Sequence, residues 1–403
     1  MLGLLILVAR LSLATDVHGV NRSVQPGAPA ASVVDLVVHD ACDKRVAFLG
    51  EAPMHGFGNT LDLKVQVARR LVDECHYNAV FFESGAYDFL NIQRALRSGQ
   101  SVTQPMIAAA IGGLWATREV EPLLPVLFEK VRNGALVLGG LDDQLSRGTY
   151  AQQQMPHDLA EYLQGDDKAR CLAVLERHTL WQYTAESPYT AKDKALILGC
   201  LGEIEHRLAP AANGDAREYH AAMIENLKRD FARDFREDTL SGADRDAETF
   251  NERDHSMYLN FHWFMSRLPA RSKVIVWTAT NHAAKSLHGV PGQEKRVSLG
   301  SRVRREMGDD GFVLGFSALS GSYAMARQPE RALPAGPANS LEALAMEKGG
   351  SDIAYLDSKR IRAAGSAPAR LLGPDFKSAD WADVVDGLVV VRQEHPPQPS
   401  LPH

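Results

Sequence analysis

Short apolar segments recur along this chain from residue 35 onward, and segments with helical periodicity lie between them. Each apolar segment has three to five residues and is bounded by glycine or polar residues, as expected of a buried strand. The six clearest are 46–49, 79–82, 136–138, 273–277, 312–316 and 388–391. Segments that are apolar on both faces and are separated by helices are typical of a covered parallel sheet. We therefore predict an α/β fold with a mainly parallel β-sheet flanked by helices.

Between residues 151 and 250 the strand pattern disappears and only helical periodicity remains. The apolar spacing there predicts helices at 158–163, 169–183, 191–208 and 218–235. We interpret this segment as an α-helical lobe inserted into the α/β core. The predicted regions are a signal-like segment with a disordered lead-in (1–34), the first part of the core (35–150), the lobe (151–250) and the second part of the core (251–397).

Charge and hydropathy restrict the partners that the protein can have. The formal net charge of −6 argues against a nucleic-acid partner, because phosphate binding needs a concentrated basic surface. The first fourteen residues are apolar but too short to span a bilayer, and they resemble a secretory signal. We therefore expect a periplasmic or secreted protein without stable membrane association after signal removal, with a cytoplasmic protein as the alternative.

The chain has four cysteines, Cys42, Cys75, Cys171 and Cys200, and no two of them form a C-x-x-C pair. This spacing excludes a zinc knuckle and a thioredoxin-like motif. An even number suits one or two disulfides in an exported protein. Cys42 and Cys75 each precede a predicted strand, so these two residues can meet in space. Four buried thiols are the alternative.

Polar residues follow three of the predicted strands at the point where each strand ends. Glu51 and His55 follow the first strand, Glu83 follows the second, and His282 follows the strand that ends at Trp277. In open α/β sheets, ligands lie beyond the carboxyl ends of the strands. Two carboxylates and two imidazoles at one edge suit general acid–base hydrolysis, in which a histidine deprotonates water and a carboxylate orients it. The sequence lacks a G-x-S-x-G elbow, an H-E-x-x-H motif and a Walker A loop, which disfavours a serine hydrolase or a P-loop enzyme.

Several short motifs, in this order, resemble those of the erythromycin esterase family over most of the chain. A G-E-x-x-H-G motif resembles residues 50–56, with Lys64 as the basic residue of the following helix, and the strand-end glutamate matches Glu83. The remaining matches are Trp115–Val120, Gly140–Gln144, Arg253–Asn260 and Gly321–Tyr323.

The resemblance implies metal-independent hydrolysis of an ester or lactone in a bulky small molecule such as a macrolide, without a cofactor. It makes His55 the base that activates water, with Glu51 and Glu83 orienting the imidazole and the water. Lys64 would help to polarise the carbonyl, and Arg118 and His282 would stabilise the oxyanion. Trp115 and Arg253 would bind the substrate. Such an enzyme would confer antibiotic resistance if macrolides were its substrates.

Two positions depart from the family pattern. Three residues instead of two separate Glu51 from His55, so we expect the loop to bulge there. The later H-N-x-H-like motif keeps only His282, because Ala279 and Thr280 replace its first two residues. The second departure predicts altered substrate preference or reduced macrolide hydrolysis.

Two other functional classes fit the same residues. In the first alternative, Glu51, His55, Glu83 and His282 are the ligands of a divalent metal such as zinc or manganese in a metal-dependent hydrolase. In the second, the protein is a non-catalytic homologue that binds a ligand or haem in the same pocket. The missing histidine at Ala279 favours the non-catalytic alternative, whereas the retained Glu51, His55 and Glu83 favour an esterase.

Overall fold

The architecture comes from a computed structural model, which describes residues 32–209, 217–237, 242–325, 328–347 and 351–400. Residues 1–31, which contain the predicted signal and most of the predicted lead-in, lie outside the described residues. The first helix begins at Val33, so the lead-in predicted to reach residue 34 ends slightly earlier than expected.

Ten strands are described, and all six predicted strands are among them. They are β1 (Val46–Glu51), β2 (Ala79–Gly85), β3 (Val137–Asp142), β4 (Val274–Ala279), β5 (Gly311–Tyr323), β6 (Arg331–Ala332), β7 (Ile353–Asp357), β8 (Ser366–Ala369), β9 (Lys377–Asp380) and β10 (Gly387–Glu394).

One sheet contains eight of these described strands, and its main path runs β3-β2-β4-β1-β5-β10-β7. Neighbouring strands from β3 to β10 are parallel, whereas β7 is an antiparallel edge strand. The two-residue strand β6 pairs with the end of β5, and β8 and β9 form a separate antiparallel pair. The predicted α/β class with a mainly parallel sheet is therefore confirmed.

Fifteen described α-helices accompany the sheet. They are α1 (Val33–Ala41), α2 (Gly58–Glu74), α3 (Ala86–Arg97), α4 (Gln104–Ile111), α5 (Leu124–Arg132), α6 (Tyr150–Gln153), α7 (Met155–Ala160), α8 (Gly165–Thr179), α9 (Ala191–Leu208), α10 (Arg217–Glu237), α11 (Gly242–Met265), α12 (Thr280–Ala283), α13 (Leu299–Met307), α14 (Leu341–Met346) and α15 (Ser358–Ala364).

The predicted lobe corresponds to helices α6–α11, and no strand occurs in the described part of residues 150–265. Helix α9 has the predicted bounds, and α11 continues past residue 250 to Met265. Helix α10 packs on α3, and α11 packs on β3. The last two lobe helices therefore contact the α/β core directly, and an independent lobe domain stays a prediction.

The centre of the sheet is apolar on both faces, as the sequence pattern indicates. Every residue of β1, β2 and β4 is buried. Fully buried aromatic side chains on these strands include Phe48, Phe81, Phe82 and Trp277. Burying each such side chain contributes roughly 1.5–3 kcal/mol, so these strands hold their carboxyl ends in a fixed position.

Two disulfides join neighbouring elements outside the sheet. Cys42 after α1 bonds to Cys75 after α2, and Cys171 of α8 bonds to Cys200 of α9. The Cys42–Cys75 pair is the one that the sequence suggested, and the alternative of four thiols is wrong. No helix in the described part of the chain is long and apolar enough to cross a membrane.

Candidate active site

The strands β2, β4 and β1 are neighbours in the sheet, and their carboxyl ends bring four predicted site residues to one edge. Glu51 ends β1 opposite Ala279 of β4, and Glu83 lies near the end of β2. His282 lies in α12, which begins directly after β4. Glu51, His55, Glu83 and His282 form two groups of contacts at this edge, one around Glu51 and the other around Glu83.

The first group pairs a buried carboxylate with an imidazole. Nδ1 of His55 lies 3.0 Å from Oε1 of Glu51. The backbone of His55 has a positive φ of 52°, and its N–H donates to the carbonyl of Ala52 at 2.9 Å. A positive φ in a residue other than glycine costs of order 1 kcal/mol or more and needs support from its surroundings. The predicted bulge is therefore present, and the left-handed turn at His55 returns the imidazole to Glu51 despite the extra residue.

Two further side chains fix the same carboxylate oxygen of Glu51. Nε1 of Trp115 donates to Oε1 at 2.7 Å, and Nζ of Lys64 lies 3.2 Å from it. Burial raises the pKa of Glu51, but the Lys64 charge and the His55 hydrogen bond outweigh burial and lower the pKa overall. Burial also lowers the pKa of Lys64 to about 8, although Glu51 opposes the shift.

The second group is built around Glu83. Its Oε2 accepts hydrogen bonds from Oγ1 of Thr278 at 2.7 Å and from the backbone N–H of Ala279 at 2.8 Å. Its Oε1 lies 3.2 Å from Nε2 of His282 and 3.3 Å from Nη2 of Arg253. Burial raises the pKa of Glu83, but the charges of His282, His55 and Arg253 hold it well below the usual range. Glu83 is therefore a fixed carboxylate.

Asp254 is a member of this second group that sequence reasoning did not select. Its Oδ2 lies 2.7 Å from Nδ1 of His282, and its Oδ1 accepts the backbone N–H of Leu299 at 2.6 Å. Burial lowers the pKa of His282, but Asp254 and Glu83 more than compensate and raise it to about 10. His282 is therefore an imidazolium near neutral pH. The aspartate lies in the Arg253–Asn260 motif, but its partner in another element was not evident from the sequence.

Arg253 links the site to the end of β3. Its guanidinium lies 2.5 Å from Oδ2 of Asp142, and its side chain keeps 23% exposure. Burial raises the pKa of Asp142, but the charge of Arg253 outweighs burial and lowers the pKa overall. Arg253 is thus the most accessible of the charged side chains in this second group, since Glu83, Asp142, Asp254 and His282 are each 6% exposed or less.

The structure places three predicted contributors differently from their expected roles. Lys64 and Trp115 are buried and contact Glu51, so they hold the carboxylate of Glu51. Arg118 has an exposed side chain whose Nη1 donates to Oε1 of Gln398 at 3.3 Å. The loop after Trp115 turns the Arg118 side chain towards the C-terminal segment.

Ala279 and Thr280 replace the first two residues of the H-N-x-H-like motif, and both make packing and hydrogen-bond contacts at the end of β4. Ala279 is buried, and its N–H binds Glu83. Thr280 is also buried, and its hydroxyl donates to the carbonyl oxygens of Gly50 and Glu51 at 2.7 and 3.0 Å. Ala279 therefore connects the end of β4 to β2, and Thr280 connects it to β1.

The metal-binding alternative requires several ligands with free lone pairs. Among the described residues, no group of three or more His, Cys, Asp or Glu side chains is arranged to hold a metal ion. Both ring nitrogens of His282 face carboxylates, and Nη1 of Arg253 lies 3.3 Å from Nε2 of His282. A guanidinium at this point opposes a second cation by like-charge repulsion. The side chains around Glu83 therefore do not fit a divalent metal.

Comparisons with known proteins agree with the fold and the motifs. A curated relative, "Putative hydrolase YbfO" of Bacillus subtilis, is 23% identical over 354 residues, which cover 81% of this chain and 78% of the relative. A crystal structure of a Bacillus cereus protein matches with a TM-score of 0.67 and 17% identity over 92% of this chain and 94% of that one.

Two other solved structures have the same fold. A succinoglycan biosynthesis protein matches with a TM-score of 0.67 and 12% identity, covering 91% of this chain and 92% of that one. A mutant of the erythromycin esterase EreC, in its open conformation, matches with a TM-score of 0.61 and 16% identity, covering 91% of this chain and 95% of that one. At these identities the similarity concerns the fold alone.

The family assignment comes from the sequence. The family described as erythromycin esterase matches residues 72–393, a range that contains Glu83, Arg253, Asp254 and His282. The loop with Glu51 and His55 precedes the matched range, in the segment where the extra residue departs from the family spacing. Because the match covers well over half of the chain, this protein belongs to the erythromycin esterase family.

Proposed function

We propose that this protein hydrolyses a carboxylic ester or lactone in a bulky small molecule, with a water molecule that His55 deprotonates. The proposal rests on one observation, the contact of 3.0 Å between Nδ1 of His55 and Oε1 of Glu51. A carboxylate accepts the Nδ1–H proton and thereby leaves the lone pair of a neutral imidazole on Nε2. The side chain of His55 retains 9% exposure, and its hydrogen bond among the described residues is made through Nδ1 and leaves Nε2 available. Nε2 is the nitrogen that can take a proton from water.

The reaction follows from this tautomer. Nε2 of His55 removes a proton from water while the water oxygen bonds to the carbonyl carbon of the substrate. The carbonyl π electrons move to the oxygen and form a tetrahedral oxyanion. When the oxyanion collapses, the bond to the alcohol oxygen breaks, and the imidazolium returns its proton to that oxygen. Glu51 stabilises the imidazolium that forms between these two steps.

The oxyanion needs a positively charged donor that can reach the substrate. We assign this role to Arg253, because its guanidinium is partly exposed and Asp142 and Glu83 hold it in place. His282 adds a second positive charge, but carboxylates already occupy both of its ring nitrogens. A preorganised donor of this kind typically contributes 10²–10³ in rate.

The comparisons support a hydrolase of this family, and the substrate belongs to our proposal. Part of the support comes from the names of similar proteins, a hydrolase in one case and an erythromycin esterase in another. Macrolide lactones are therefore included among the substrates to be tested, together with simple aryl esters. Resistance to macrolides would follow only if the protein hydrolyses macrolide lactones.

The decisive experiment compares the parent protein with His55→Ala on a panel of aryl esters and macrolides. We expect His55→Ala to lower kcat/KM by about 10²–10⁴ because the base is lost. His76→Ala is the matched control, since His76 follows α2 on the surface and its φ is also positive, at 60°. It should retain parent activity.

The same activity assays, together with an elemental analysis, separate the esterase from the two alternatives. A parent protein that hydrolyses no member of the panel, or a His55→Ala variant with full activity, would contradict the proposal. Elemental analysis of protein purified without chelator tests the metal-dependent mechanism. Stoichiometric zinc or manganese, with activity lost on chelation and restored by the ion, would support the metal-dependent mechanism instead.

A further inference from the structure

A cavity of about 340 Å³ lies at the lobe, and its wall contains none of the residues of the two site groups. We call it the lobe cavity and define it by Gln144, His178, Trp181, Tyr183, Tyr189 and Asp230. Its size falls within the range of small-molecule sites, and its wall combines aromatic rings with a few polar side chains.

The lobe cavity is a near neighbour of the candidate active site. Asp142 contacts Arg253 of the site, and Gln144, two residues later, belongs to the cavity wall. Two residues span at most about 7 Å, so one short segment borders both places. The intervening Asp143 is fixed to Arg233 of α10 by two hydrogen bonds of 2.8 and 3.0 Å. The site and the lobe cavity are therefore close enough for one bulky substrate to contact both.

Trp181 is held at the mouth of this cavity at a cost to the fold. It follows the end of α8, its φ is 54°, and its N–H donates to the carbonyl of His178 at 2.9 Å. Glycine or asparagine is preferred at this position after a helix, because a β-carbon is strained there. The indole is nevertheless 42% exposed. A strained and exposed tryptophan contributes little to the core, and binding is a role that accounts for both features.

Aromatic and polar groups on the wall indicate the chemistry of the ligand. The rings of Tyr183 and Tyr189 stack with their centroids 3.8 Å apart, and the Tyr189 hydroxyl lies 2.7 Å from Nδ1 of His178. These contacts make the wall rigid. Trp181 offers an apolar face, whereas Gln144 and Asp230 offer groups that can hydrogen-bond at its edge.

The charged groups beside the lobe cavity are of both signs, which favours a neutral ligand. The guanidinium of Arg177 lies 4.0 Å from the ring centroid of Tyr183, and that of Arg147 lies 5.4 Å from Trp181. Oδ1 of Asp230 lies 2.5 Å from Nη2 of Arg233, and Asp234 adds a second carboxyl group to the wall. A carboxyl group that is already paired with a guanidinium can still accept a hydrogen bond from a hydroxyl group of a ligand.

We infer that the lobe cavity binds a neutral hydroxylated ring of the substrate, with its apolar face on Trp181 and its hydroxyl groups bonded to Gln144 and Asp230. The inference rests on the proposed function for its role as a substrate subsite. Binding of the ring itself does not depend on hydrolysis. The two can therefore be tested separately.

The test uses the full chain and methyl β-glucoside as a probe, with the indole N–H signal of Trp181 followed by NMR. Loss of one indole signal in Trp181→Gly assigns that signal. We expect a saturable shift of the Trp181 signal in the parent and in His55→Ala. Gln144→Ala should bind the glucoside about two- to tenfold more weakly. Trp181→Gly should unfold at the same temperature as the parent or higher, because glycine relieves the strain.

Leu180→Ala is the matched control, since Leu180 is 44% exposed and adjacent to Trp181 but lies outside the cavity wall. It should bind the probe as the parent does. The inference is overturned if the Trp181 signal does not respond to methyl β-glucoside, or if cyclohexylammonium shifts it and the glucoside does not. Probe binding that persists in His55→Ala supports the subsite even if no ester in the panel is hydrolysed.

Discussion

Nδ1 of His282 lies 2.7 Å from Oδ2 of Asp254, and both side chains are buried. The second oxygen of Asp254 is fixed by the N–H of Leu299, and the ring of Phe250 stacks on the imidazole at 5.2 Å. With Glu83 on its other nitrogen, His282 is held as a cation between two carboxylates. A histidine in this state cannot accept a proton from water near neutral pH, which leaves His55 as the base in the proposed mechanism.

Asp254→Asn should reduce the pH dependence that His282 adds to stability, because only Glu83 then remains beside the imidazole. The folded-state pKa of about 10 is above the ordinary value of 6.5, so the stabilisation is fully present below pH 6.5 and is lost as pH rises through 10. We expect the parent to lose stability over this alkaline range and the variant to lose less. At pH 7 the variant should be less stable by about 3 kcal/mol, because a buried pair is broken. Urea unfolding between pH 6 and 10 measures both effects.

The control for this prediction is Glu203→Gln, which removes an exposed pair with Arg207. Exposed pairs contribute about 0–1 kcal/mol, so the parent pH profile should be retained. An Asp254→Asn profile parallel to that of the parent would show that Asp254 does not set the charge of His282.

Glu51→Gln should reduce turnover more than substrate binding. Glutamine keeps the shape of the side chain but removes the charge that orients the His55 tautomer and stabilises its imidazolium. We expect kcat to fall by about 10² or more, with a smaller change in KM. Trp115→Phe removes one hydrogen bond to the same oxygen and should lower kcat by about tenfold.

Steady-state kinetics on an ester that the parent hydrolyses, together with unfolding midpoints, test these two variants. Trp263→Phe is the control for loss of an indole, because Trp263 packs on Tyr219 and Arg267 in the lobe. Equal kcat values for Glu51→Gln and the parent would rule out the assigned role of Glu51.

Reduction of the disulfides should destabilise the protein. Cys42–Cys75 and Cys171–Cys200 are separated by 33 and 29 residues, and closing loops of this length restricts the unfolded chain. The chain-entropy relation gives about 3–4 kcal/mol for each bond. Unfolding with and without reductant measures the loss, and Cys42→Ser with Cys75→Ser isolates one bond.

We further propose that the protein is exported, because disulfides persist in oxidising compartments. Mass spectrometry under non-reducing conditions, on protein taken from the cytoplasm and from the exported fraction of its own host, tests this proposal. Four free thiols in the functional protein, or its recovery from the cytoplasm alone, would refute export.

Glu394→Gln should change the pH dependence of stability near neutrality. Glu394 ends β10 and accepts the N–H groups of Asn59 and Thr60 at 3.0 and 2.9 Å at the start of α2. Burial raises the pKa of Glu394 to about 7, although these hydrogen bonds oppose the shift. Its contribution is therefore fully present below pH 4.5 and falls as pH rises to 7.

The effect of Glu394 is obtained as the difference between the parent and Glu394→Gln in urea unfolding at pH 4.5 to 8. Between pH 4.5 and pH 7 the free energy of unfolding of the parent should fall by about 3 kcal/mol relative to that of the variant. Above pH 7 the difference between the two should stay constant. Glu74→Gln is the exposed control at the other end of α2. A difference that does not vary with pH would contradict the raised pKa of Glu394.

The central strands of the sheet could be predicted, because each of them is a short apolar segment that is visible in the sequence. Segments apolar on both faces identified β1–β5 and β10, and the positions of Glu51, Glu83 and His282 after their strands identified one edge of the sheet. The short strands β6, β8 and β9 were missed because they contain few large apolar residues and are defined by their pairing partners. Strand β7 is apolar but has only five residues and is partly exposed at the edge of the sheet.

The sequence by itself determined the α/β class, the family and the edge where Glu51, His55, Glu83 and His282 meet, and it offered Cys42–Cys75 as a possible pairing. Only the tertiary structure decided how these side chains are paired. Asp254 lies 28 residues from His282, and Trp115 lies 64 residues from Glu51, so no local pattern connects either pair. The physical reason is that side-chain charge and hydrogen bonding depend on burial and on neighbours from other elements, which hydrophobic periodicity does not encode.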